Sequence, residues 1–145
     1  MFKFTKMTNE HFKKIKDVLY SDFDDFWSLN TFESELSNPN SLYFVCIDGD
    51  KIIGFVGIWQ AIDTIHIMNI VTRKDFRNIG VANFMLKNII NFSQSISEVT
   101  SITLEVNEKN IYAIKLYESF NFKKLGIRKK YYNNSDNAII YTLFL

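Results

Sequence analysis

The turn between residues 72 and 82 has the residue types of an anion-binding site. It follows the β-branched segment 65–71 and leads into a stretch, up to Phe92, whose apolar residues have helical spacing. The first N–H groups of a helix lack intrahelical partners and lie at the positive end of the helix dipole, so phosphate binds there readily. Neither G-x-x-x-x-G-K-[ST] nor G-x-G-x-x-G occurs, which indicates another phosphate-bearing cofactor.

Two further side chains, those of Glu105 and Tyr117, could move protons. Glu105 stands between apolar residues in the predicted strand 101–106, so alternation places it on the face opposite to theirs. If helices cover both faces, burial favours a protonated carboxyl and makes Glu105 a candidate general base; a solvent-facing carboxylate is the alternative. Tyr117 has helical spacing with Ile114 and Phe120, which alone predicts a core aromatic.

Apolar periodicity predicts one mixed α/β domain over residues 1–145 that positions these groups. The predicted order is β α α β β β α β α β β, an antiparallel meander joined to a parallel βαβ crossover. Strand 101–106 must pair in parallel with strand 64–71 because a helix connects them. The other predicted strands are 2–5, 42–47, 51–59, 122–127 and 138–145, and helices follow Thr8, Asn30, the anion turn and Asn110.

Two short motifs mark boundaries. Asp48-Gly49-Asp50 between β-rich runs is typical of a tight hairpin. Asn30-x-x-Glu33 predicts a short helix that is capped by Asn30 and ended by Pro39.

The charge is balanced overall but uneven along the chain. A net charge of +1 and a pI of about 7.8 do not suggest a nucleic-acid-binding protein. Acidic residues gather between 22 and 35 and basic residues between 123 and 130, each run being either a solvated face or a steering surface. The acidic segment also contains Phe23, Phe26 and Trp27, which either cover the core or line a substrate cleft.

The remaining composition indicates an intracellular protein without metal. The single Cys46 lies in an apolar run, which predicts a buried, inert thiol and fits a reducing cytosol. No signal-type stretch and no apolar run long enough to span a bilayer is present, so we expect a cytoplasmic protein without a membrane partner. His11 and His66 lack metal-ligand spacing, and we expect His66 to pack on the sheet.

Several segments resemble one enzyme family. Arg77-Asn78-Ile79-Gly80-Val81-Ala82 is similar to the acetyl-coenzyme A signature [Q/R]-x-x-G-x-[G/A] of the GNAT superfamily of N-acetyltransferases, and the element order matches that fold. Other segments resemble the bacterial ribosomal-protein-alanine N-acetyltransferases, the RimI type, and relatives that acetylate protein N-termini. These segments are Trp27-Ser28 with Thr31-Phe32, Leu104-Glu105-Val106, Asn110, residues 116–122, Arg128-x-x-Tyr131-Tyr132 and Asp136-x-Ala138-Ile139-Ile140.

The resemblance implies direct acetyl transfer from acetyl-coenzyme A to a protein N-terminal α-amine. Glu105 would be the general base and Tyr117 the general acid that protonates the coenzyme A thiolate. Trp27, Tyr131 and Tyr132 would bind the acceptor peptide, the two tyrosines from a loop between the closing strands. Three features would bind the cofactor: a strand edge that a bulge splays from strand 101–106, the anion turn, and the cap of the last helix. Their residues are, in that order, Asn69, Ile70 and Val71; Arg77, Asn78, Ile79, Gly80, Val81 and Ala82; and Asn110.

Some of these assignments have alternatives. Gly80 either admits the phosphate or serves helix packing, and Asn110 acts as an N-cap, a cofactor contact or both. Phe26 replaces the family's usual Pro, Asn121 its usual Gly and Asn137 a common acid. Asn tolerates the left-handed backbone, so the second change is mild.

The acceptor is expected to be the N-terminal alanine of a ribosomal protein. A GNAT enzyme that acetylates a small-molecule amine or a lysine side chain is the alternative, and a non-catalytic acyl-coenzyme A-binding module is a second one. We expect a monomer or weak dimer with no nucleic-acid partner.

Overall fold

A seven-stranded mixed sheet runs through the computed structural model, which describes residues 1–23, 28–132 and 135–145. The strand order is β1-β2-β3-β4-β5-β7-β6; β4 and β5 are parallel and the other neighbouring pairs are antiparallel. The strands are β1 (Phe2–Lys6), β2 (Ser41–Asp48), β3 (Lys51–Ala61), β4 (Thr64–Thr72), β5 (Ser101–Asn107), β6 (Lys123–Tyr132) and β7 (Asp136–Phe144).

The helices confirm the predicted element order. They are α1 (Asn9–Lys16), α2 (Leu29–Ser37), α3 (Val81–Gln94) and α4 (Ile111–Ser119), with a π-helical turn over Leu19–Phe23 and a 3-10 turn over Lys74–Phe76. The chain therefore has the expected α/β architecture, an antiparallel meander joined through α3 to the parallel pair β4–β5. In the described ranges, no helix has both the length and the apolar character needed to cross a membrane.

Side-chain caps explain where three helices begin. Thr8 Oγ1 accepts the N–H of His11, and Asn110 Oδ1 accepts the N–H of Ala113, as predicted for α1 and α4. The predicted cap of α2 is wrong: Ser28, not Asn30, is the N-cap, because Ser28 has an extended backbone and its Oγ accepts the N–H of residue 31 at 3.1 Å.

The two faces of the sheet are covered differently. On one face, α3 and α4 pack over the middle of the sheet through Leu86, Ile89 and Tyr117. On the other face, α1, the π-helical turn and α2 cover β2, β3 and the end of β4 at Val71. Phe23 is 1% exposed in this second core, so this aromatic residue covers the core; Phe26 and Trp27 lie outside the described residues.

The closing strands extend further than predicted. β6 continues through Tyr132, so Tyr131 and Tyr132 lie at the end of a strand rather than in a loop. Between Arg128 and Tyr132 the register shifts, and three residues of β6 oppose Asn137 alone. The Asn137 Oδ1 accepts the N–H of Lys130 at 2.9 Å, and this bond replaces the missing ladder contact.

Two local predictions made from single residues agree with the structure. Asn121 ends α4 in the left-handed region with φ +70°, as expected for a residue in the usual place of Gly. Cys46 is fully buried, and this burial raises the pKa of its thiol to about 12. The thiol is therefore protonated and inert at neutral pH.

We predict that Gly57→Ala destabilises the fold, whereas Gly126→Ala does not. A Cβ at Gly57 would lie 2.4 Å from the ring of Tyr43, whereas at Gly126 it would meet only Ile140 Cδ1 at 3.6 Å. Overpacking of this kind lowers the free energy of unfolding by about 1–3 kcal/mol, and the control should change it by less than about 0.5 kcal/mol. Urea unfolding measures both, and equal effects would contradict the close packing at Gly57.

Candidate active site

Strands β4 and β5 pair over only part of their length. Their parallel ladder ends at Ile67 and Leu104, although both strands continue. In the pairing with β3, Ile67 and Asn69 face consecutive residues, so Met68 is an extra residue that forms a β-bulge. Because a bulge bends its strand, β4 diverges from β5 after this point. The bulge and the splay lie where the family resemblance implied them.

The side chain of Asn69 holds this bulge in place. It is 7% exposed, and its Oδ1 accepts the N–H of Gly57 at 2.9 Å. A buried N–H without a partner costs about 1–3 kcal/mol. The Asn69 side chain therefore takes the place of the backbone acceptor that a regular strand pair would offer to the Gly57 N–H. The family resemblance assigned only the Asn69 backbone to the cofactor. The role of the Asn69 side chain in the bulge was not predicted, because no sequence pattern distinguishes a buried Asn in a strand.

One face of the sheet around the splay has buried polar atoms without partners. Among the described residues these atoms are Tyr43 Oη, Trp59 Nε1, Asn69 Nδ2 and Glu105 Oε2. The strand register places the four side chains on one face, opposite to α3 and α4, and we call this surface the polar face. Since buried polar groups nearly always have hydrogen-bond partners, the polar face is suited to a polar ligand.

Glu105 lies on the polar face beside the splay. Its side chain is 29% exposed, and its Oε1 lies 3.1 Å from Nη2 of Arg128. The Arg128 guanidinium in turn lies over the ring of Tyr131, 4.7 Å from its centroid. Among the described residues, the core beneath α1 and α2 reaches Val71 of β4 but contains no residue of β5, so the condition that helices cover both faces at Glu105 is not met. Glu105 is instead a partly exposed, ion-paired carboxylate.

Tyr117 lies on the opposite side of the sheet. It is 6% exposed and belongs to the core between α4 and β5, where its ring lies 5.9 Å from that of Phe122. Burial raises the pKa of Tyr117 well above its usual value, and the nearby Tyr132 adds to the effect. The Tyr117 hydroxyl is therefore protonated at physiological pH, as a proton donor must be.

Tyr132 lies within electrostatic reach of both proposed proton-transfer groups. Burial, Glu105 and Tyr131 raise the pKa of Tyr132 to about 12, while Arg128 lowers it. The rings of Tyr131 and Tyr132 are 5.0 Å apart and nearly perpendicular, and Tyr131 is 49% exposed. These two predicted peptide-binding residues thus lie beside Glu105, whereas the third, Trp27, is outside the described residues.

The anion turn at the end of β4 is open. Gly80 has φ +90°, and a Cβ built there would meet no atom within 4 Å, so the alternative that Gly80 serves helix packing is wrong. Among the α-helices of the described ranges, α3 is the exception in having no side-chain cap. The N–H groups of its first turn are therefore available to an anion.

Three basic side chains of this turn bind the π-helical turn over Leu19–Phe23. Arg77 donates from Nη2 to the Phe23 carbonyl at 2.9 Å and from Nε to the Thr72 carbonyl at 3.2 Å. The Arg77 guanidinium, which was predicted to add charge at the phosphate, thus also hydrogen-bonds the segment that precedes residues 24–27. The sequence carried no signal for this contact, which joins residues 54 positions apart.

Arg73 and Lys74 complete the connection. Arg73 Nη2 lies 3.2 Å from Asp22 Oδ2 and its Nε 3.0 Å from Asp75 Oδ1, and Lys74 Nζ donates to the Tyr20 carbonyl at 3.3 Å. Hydrogen bonds and ion pairs therefore connect the anion turn to the start of the segment between α1 and α2.

Other possible sites do not compete with the splay. No group of three or more His, Cys, Asp or Glu side chains in the described part of the chain could hold a metal. A concavity of about 440 Å³ lies where β2 begins and β3 ends, away from the anion turn, and its lining residues contain no titratable side chain. They are Pro39, Asn40, Ser41, Leu42, Ile58, Gln60, Ile62 and Phe92.

Comparison with known proteins identifies the class of enzyme to which this fold and site correspond. The model of the acetyltransferase (GNAT) family matches residues 9–122. The chain therefore belongs to the GNAT family and is an acetyl-coenzyme A-dependent N-acetyltransferase.

More specific relatives are of the RimI type, as the sequence motifs indicated. The chain is 31% identical over 125 residues to a [ribosomal protein bS18]-alanine N-acetyltransferase of Haemophilus ducreyi, covering 82% of this chain and 83% of that one. The crystal structure of the ribosomal-protein-S18-alanine N-acetyltransferase from Escherichia coli superposes with a TM-score of 0.89 at 25% identity, covering 99% and 94% of the two chains. NAA60 of Arabidopsis thaliana, solved with acetyl-CoA, shares the fold at 16% identity and a TM-score of 0.84, covering 100% and 99%.

We predict that Asp22→Asn loosens the π-helical turn without unfolding the protein. Partly exposed ion pairs contribute only about 0–1 kcal/mol, so global stability should hardly change. Hydrogen exchange of the amides of residues 19–23 should become faster. Asp75→Asn is the matched control, since it removes the other ion pair of Arg73. Equal exchange in both variants would show that the Asp22 contact does not hold the turn.

Proposed function

We propose that this enzyme transfers the acetyl group of acetyl-coenzyme A to the N-terminal α-amine of a protein, most specifically an N-terminal alanine of a ribosomal protein in the cytoplasm. The observation that carries the proposal is the buried, unpartnered Oε2 of Glu105 on the polar face beside the splay. An α-ammonium is a donor that such an acceptor atom can bind. The relatives named for bS18-alanine acetylation support this choice of acceptor.

The donor would bind along the anion turn and the free edge of β4. The uncapped N–H groups of α3, with Asn78, Ile79 and Gly80 before them, suit a diphosphate, and Arg77 adds positive charge. The splayed edge at Asn69, Ile70 and Val71 leaves backbone groups for the pantetheine arm. Asn110 uses its Oδ1 to cap α4, which leaves its amide N–H₂ for the cofactor.

Glu105 and Tyr117 would divide the proton transfers between them. Glu105 draws a proton from the α-ammonium, so that the amine can attack the thioester carbonyl. Arg128 holds Oε1 of Glu105 at 3.1 Å and leaves Oε2 for the substrate. Tyr117, protonated because of its burial, gives a proton to the departing thiolate.

Direct attack by the amine follows from the state of the only thiol. A covalent acetyl-enzyme requires a nucleophile that is accessible and activated. Cys46 is fully buried in β2, and its pKa of about 12 keeps it as a thiol. The chain contains no other cysteine, so the acetyl group passes straight from donor to acceptor.

The acceptor peptide would lie over the polar face beside the end of β6. Tyr131 is half-exposed and contacts Arg128, and Tyr132 lies within electrostatic reach of Glu105. The family resemblance adds Trp27, outside the described residues, as a third residue that would bind the peptide. Because one chain supplies all the residues assigned here to the donor and the acceptor, we propose that the enzyme works as a monomer or weak dimer.

We predict that the purified enzyme acetylates N-terminal alanine peptides faster than lysine side chains or polyamines. Peptides beginning with Ala, peptides with a blocked N-terminus and an internal lysine, and free polyamines are compared by mass spectrometry. Glu105→Gln should lower kcat/KM for the alanine peptide by about 10²-fold or more, the size of a general-base contribution. Arg128→Gln is the control, since it breaks the same ion pair and keeps the carboxylate.

The other outcomes of this comparison of acceptors distinguish the alternative functions. Preference for lysine or polyamine would replace the N-terminal acceptor by the small-amine or side-chain alternative. Acetyl-coenzyme A binding without transfer to any amine would establish a binding module. Equal losses in Glu105→Gln and Arg128→Gln would remove Glu105 as the base.

We predict that Tyr117→Phe lowers kcat about tenfold or more and leaves the Kd for acetyl-coenzyme A nearly unchanged. The acid form of Tyr117 is lost only as pH rises through its raised pKa, so wild-type kcat should not fall up to about pH 10, the usual tyrosine value. Tyr112→Phe, an exposed tyrosine of the same helix, is the control. Calorimetry measures binding, and full turnover in Tyr117→Phe would remove this residue from the mechanism.

A further inference from the structure

The end of β6 contains two residues more than the stretch of β7 that it faces. The two strands pair at Arg128 and again at Tyr132, and the three residues of β6 between these points oppose Asn137 alone. In a regular antiparallel ladder, the pairing advances by one residue on each strand at every step. The position opposite Asp136, which Tyr132 occupies, would then belong to Lys130.

This bulge decides which side chain of β6 lies beside the proposed acceptor site. Arg128 and Tyr132 pair with residues that are two positions apart in β7, so their side chains lie on one side of the sheet. This side is the polar face, where Arg128 contacts Glu105. Tyr132 brings a protonated phenol there. In the regular register Lys130 would bring an ammonium group instead, and this group would compete with the acceptor's α-ammonium for the Glu105 carboxylate.

One side-chain hydrogen bond holds the bulge in the observed register. Oδ1 of Asn137 accepts the N–H of Lys130 at 2.9 Å. Lys130 is in the left-handed region with φ +51°, which residues other than Gly seldom adopt because their Cβ crowds the backbone. Such a conformation persists only where the surroundings enforce it. The Asn137 side chain supplies the contact that favours it.

Asn137 is itself held by the loop between β5 and α4. Its N–H donates to Glu108 Oε2 at 2.7 Å, and its carbonyl accepts the Glu108 N–H at 3.0 Å. The preceding residue, Asp136, is bound to the same loop. Its Oδ1 lies 2.8 Å from Nζ of Lys109, and its Oδ2 accepts a bond from Nδ2 of Asn107 at 3.1 Å. The backbone of Asn137 is therefore anchored to this loop, and its side chain acts on β6.

Resting on the function proposed above, we propose that Asn137 is a positioning residue that fixes the register in which Tyr132, and not Lys130, lies on the polar face. The juxtaposition that carries the proposal is an anchored acceptor oxygen opposite a left-handed residue, two positions before the tyrosine. Asn137 acts through Tyr131 and Tyr132, the residues assigned to the acceptor peptide, and not on the reacting atoms. Its loss should therefore weaken peptide binding and spare the chemical step.

The kinetic test compares wild type with Asn137→Leu, which keeps the size of the side chain and removes its acceptor oxygen. KM for an N-terminal alanine peptide should rise about fivefold or more, the effect of one lost hydrogen bond. Both kcat and KM for acetyl-coenzyme A should change less than about twofold. Asn137→Asp keeps an oxygen at the same position and should restore the wild-type KM. An unchanged peptide KM in Asn137→Leu, or an equal rise in Asn137→Asp, would overturn the proposal.

A double variant tests the choice between Tyr132 and Lys130. Adding Lys130→Met to Asn137→Leu removes the competing ammonium, so it should reverse part of the rise in peptide KM. Lys130→Met alone should leave this KM at the wild-type value, because Lys130 does not occupy the position of Tyr132 in the observed register. A double variant whose KM equals that of Asn137→Leu would overturn the proposed selection of register.

Asn38→Leu is the matched control for the loss of an asparagine oxygen. Asn38 Oδ1 also accepts a backbone N–H, that of Asn40, at 2.9 Å, and this loop leads into β2, which four strands separate from β6. The kinetic constants of this variant should equal those of wild type. If Asn137→Leu does not fold, Asn137→Ala removes the same oxygen without adding apolar bulk and takes its place in the test.

A second readout does not depend on activity. Hydrogen exchange of the Lys130 amide should become faster in Asn137→Leu and keep the wild-type rate in Asn137→Asp. Cross-ring NOEs between Tyr131 and Tyr132, whose centroids are 5.0 Å apart, should disappear only in the leucine variant. Unchanged exchange and NOEs would overturn the proposed positioning. A wild type that acetylates no N-terminal peptide would instead overturn the function proposed above, and the exchange rates would still decide whether Asn137 holds the bulge.

Discussion

The hydrogen bond from the Gly57 N–H to the Asn69 side chain is the constraint on which the site depends. It is 2.9 Å long and fully inside the sheet, and it allows β4 to contain the extra residue Met68. Gly57 is required for a second reason, since the ring of Tyr43 occupies the space of a Cβ. With the bulge fixed in this way, β4 leaves β5 at a defined residue, and the gap between the strands becomes part of the rigid framework.

The gap lies between groups that are on opposite sides of the sheet. Glu105 and His66 are on the polar face, whereas Tyr117 is in the core beneath α4. In a continuous sheet the backbone would separate the proposed base from the proposed acid. At the splay this barrier is absent, so in the proposed mechanism the acceptor on the polar face would meet the thioester through this gap.

Local features of this fold were readable from the sequence. The caps Thr8 and Asn110, the left-handed Asn121 and the buried Cys46 each depend on neighbouring residues, and the structure agrees with all four. The surroundings of Glu105 were not readable, because they depend on how far α1 and α2 extend across a sheet formed later in the chain. The ties of residues 73–77 to Leu19–Phe23 are long-range in the same sense and have no periodic signature.

The basic edge of the sheet has a consequence for association. Strand β6 is exposed along most of its length, and its lysines lie at the free edge of the sheet. Two copies that joined their β6 edges would set Lys123, Lys124, Lys129 and Lys130 of one chain against the same residues of the other. The bulge opposite Asn137 would also interrupt the new ladder. This edge therefore disfavours the edge-to-edge strand pairing to which an uncharged, regular edge strand is prone.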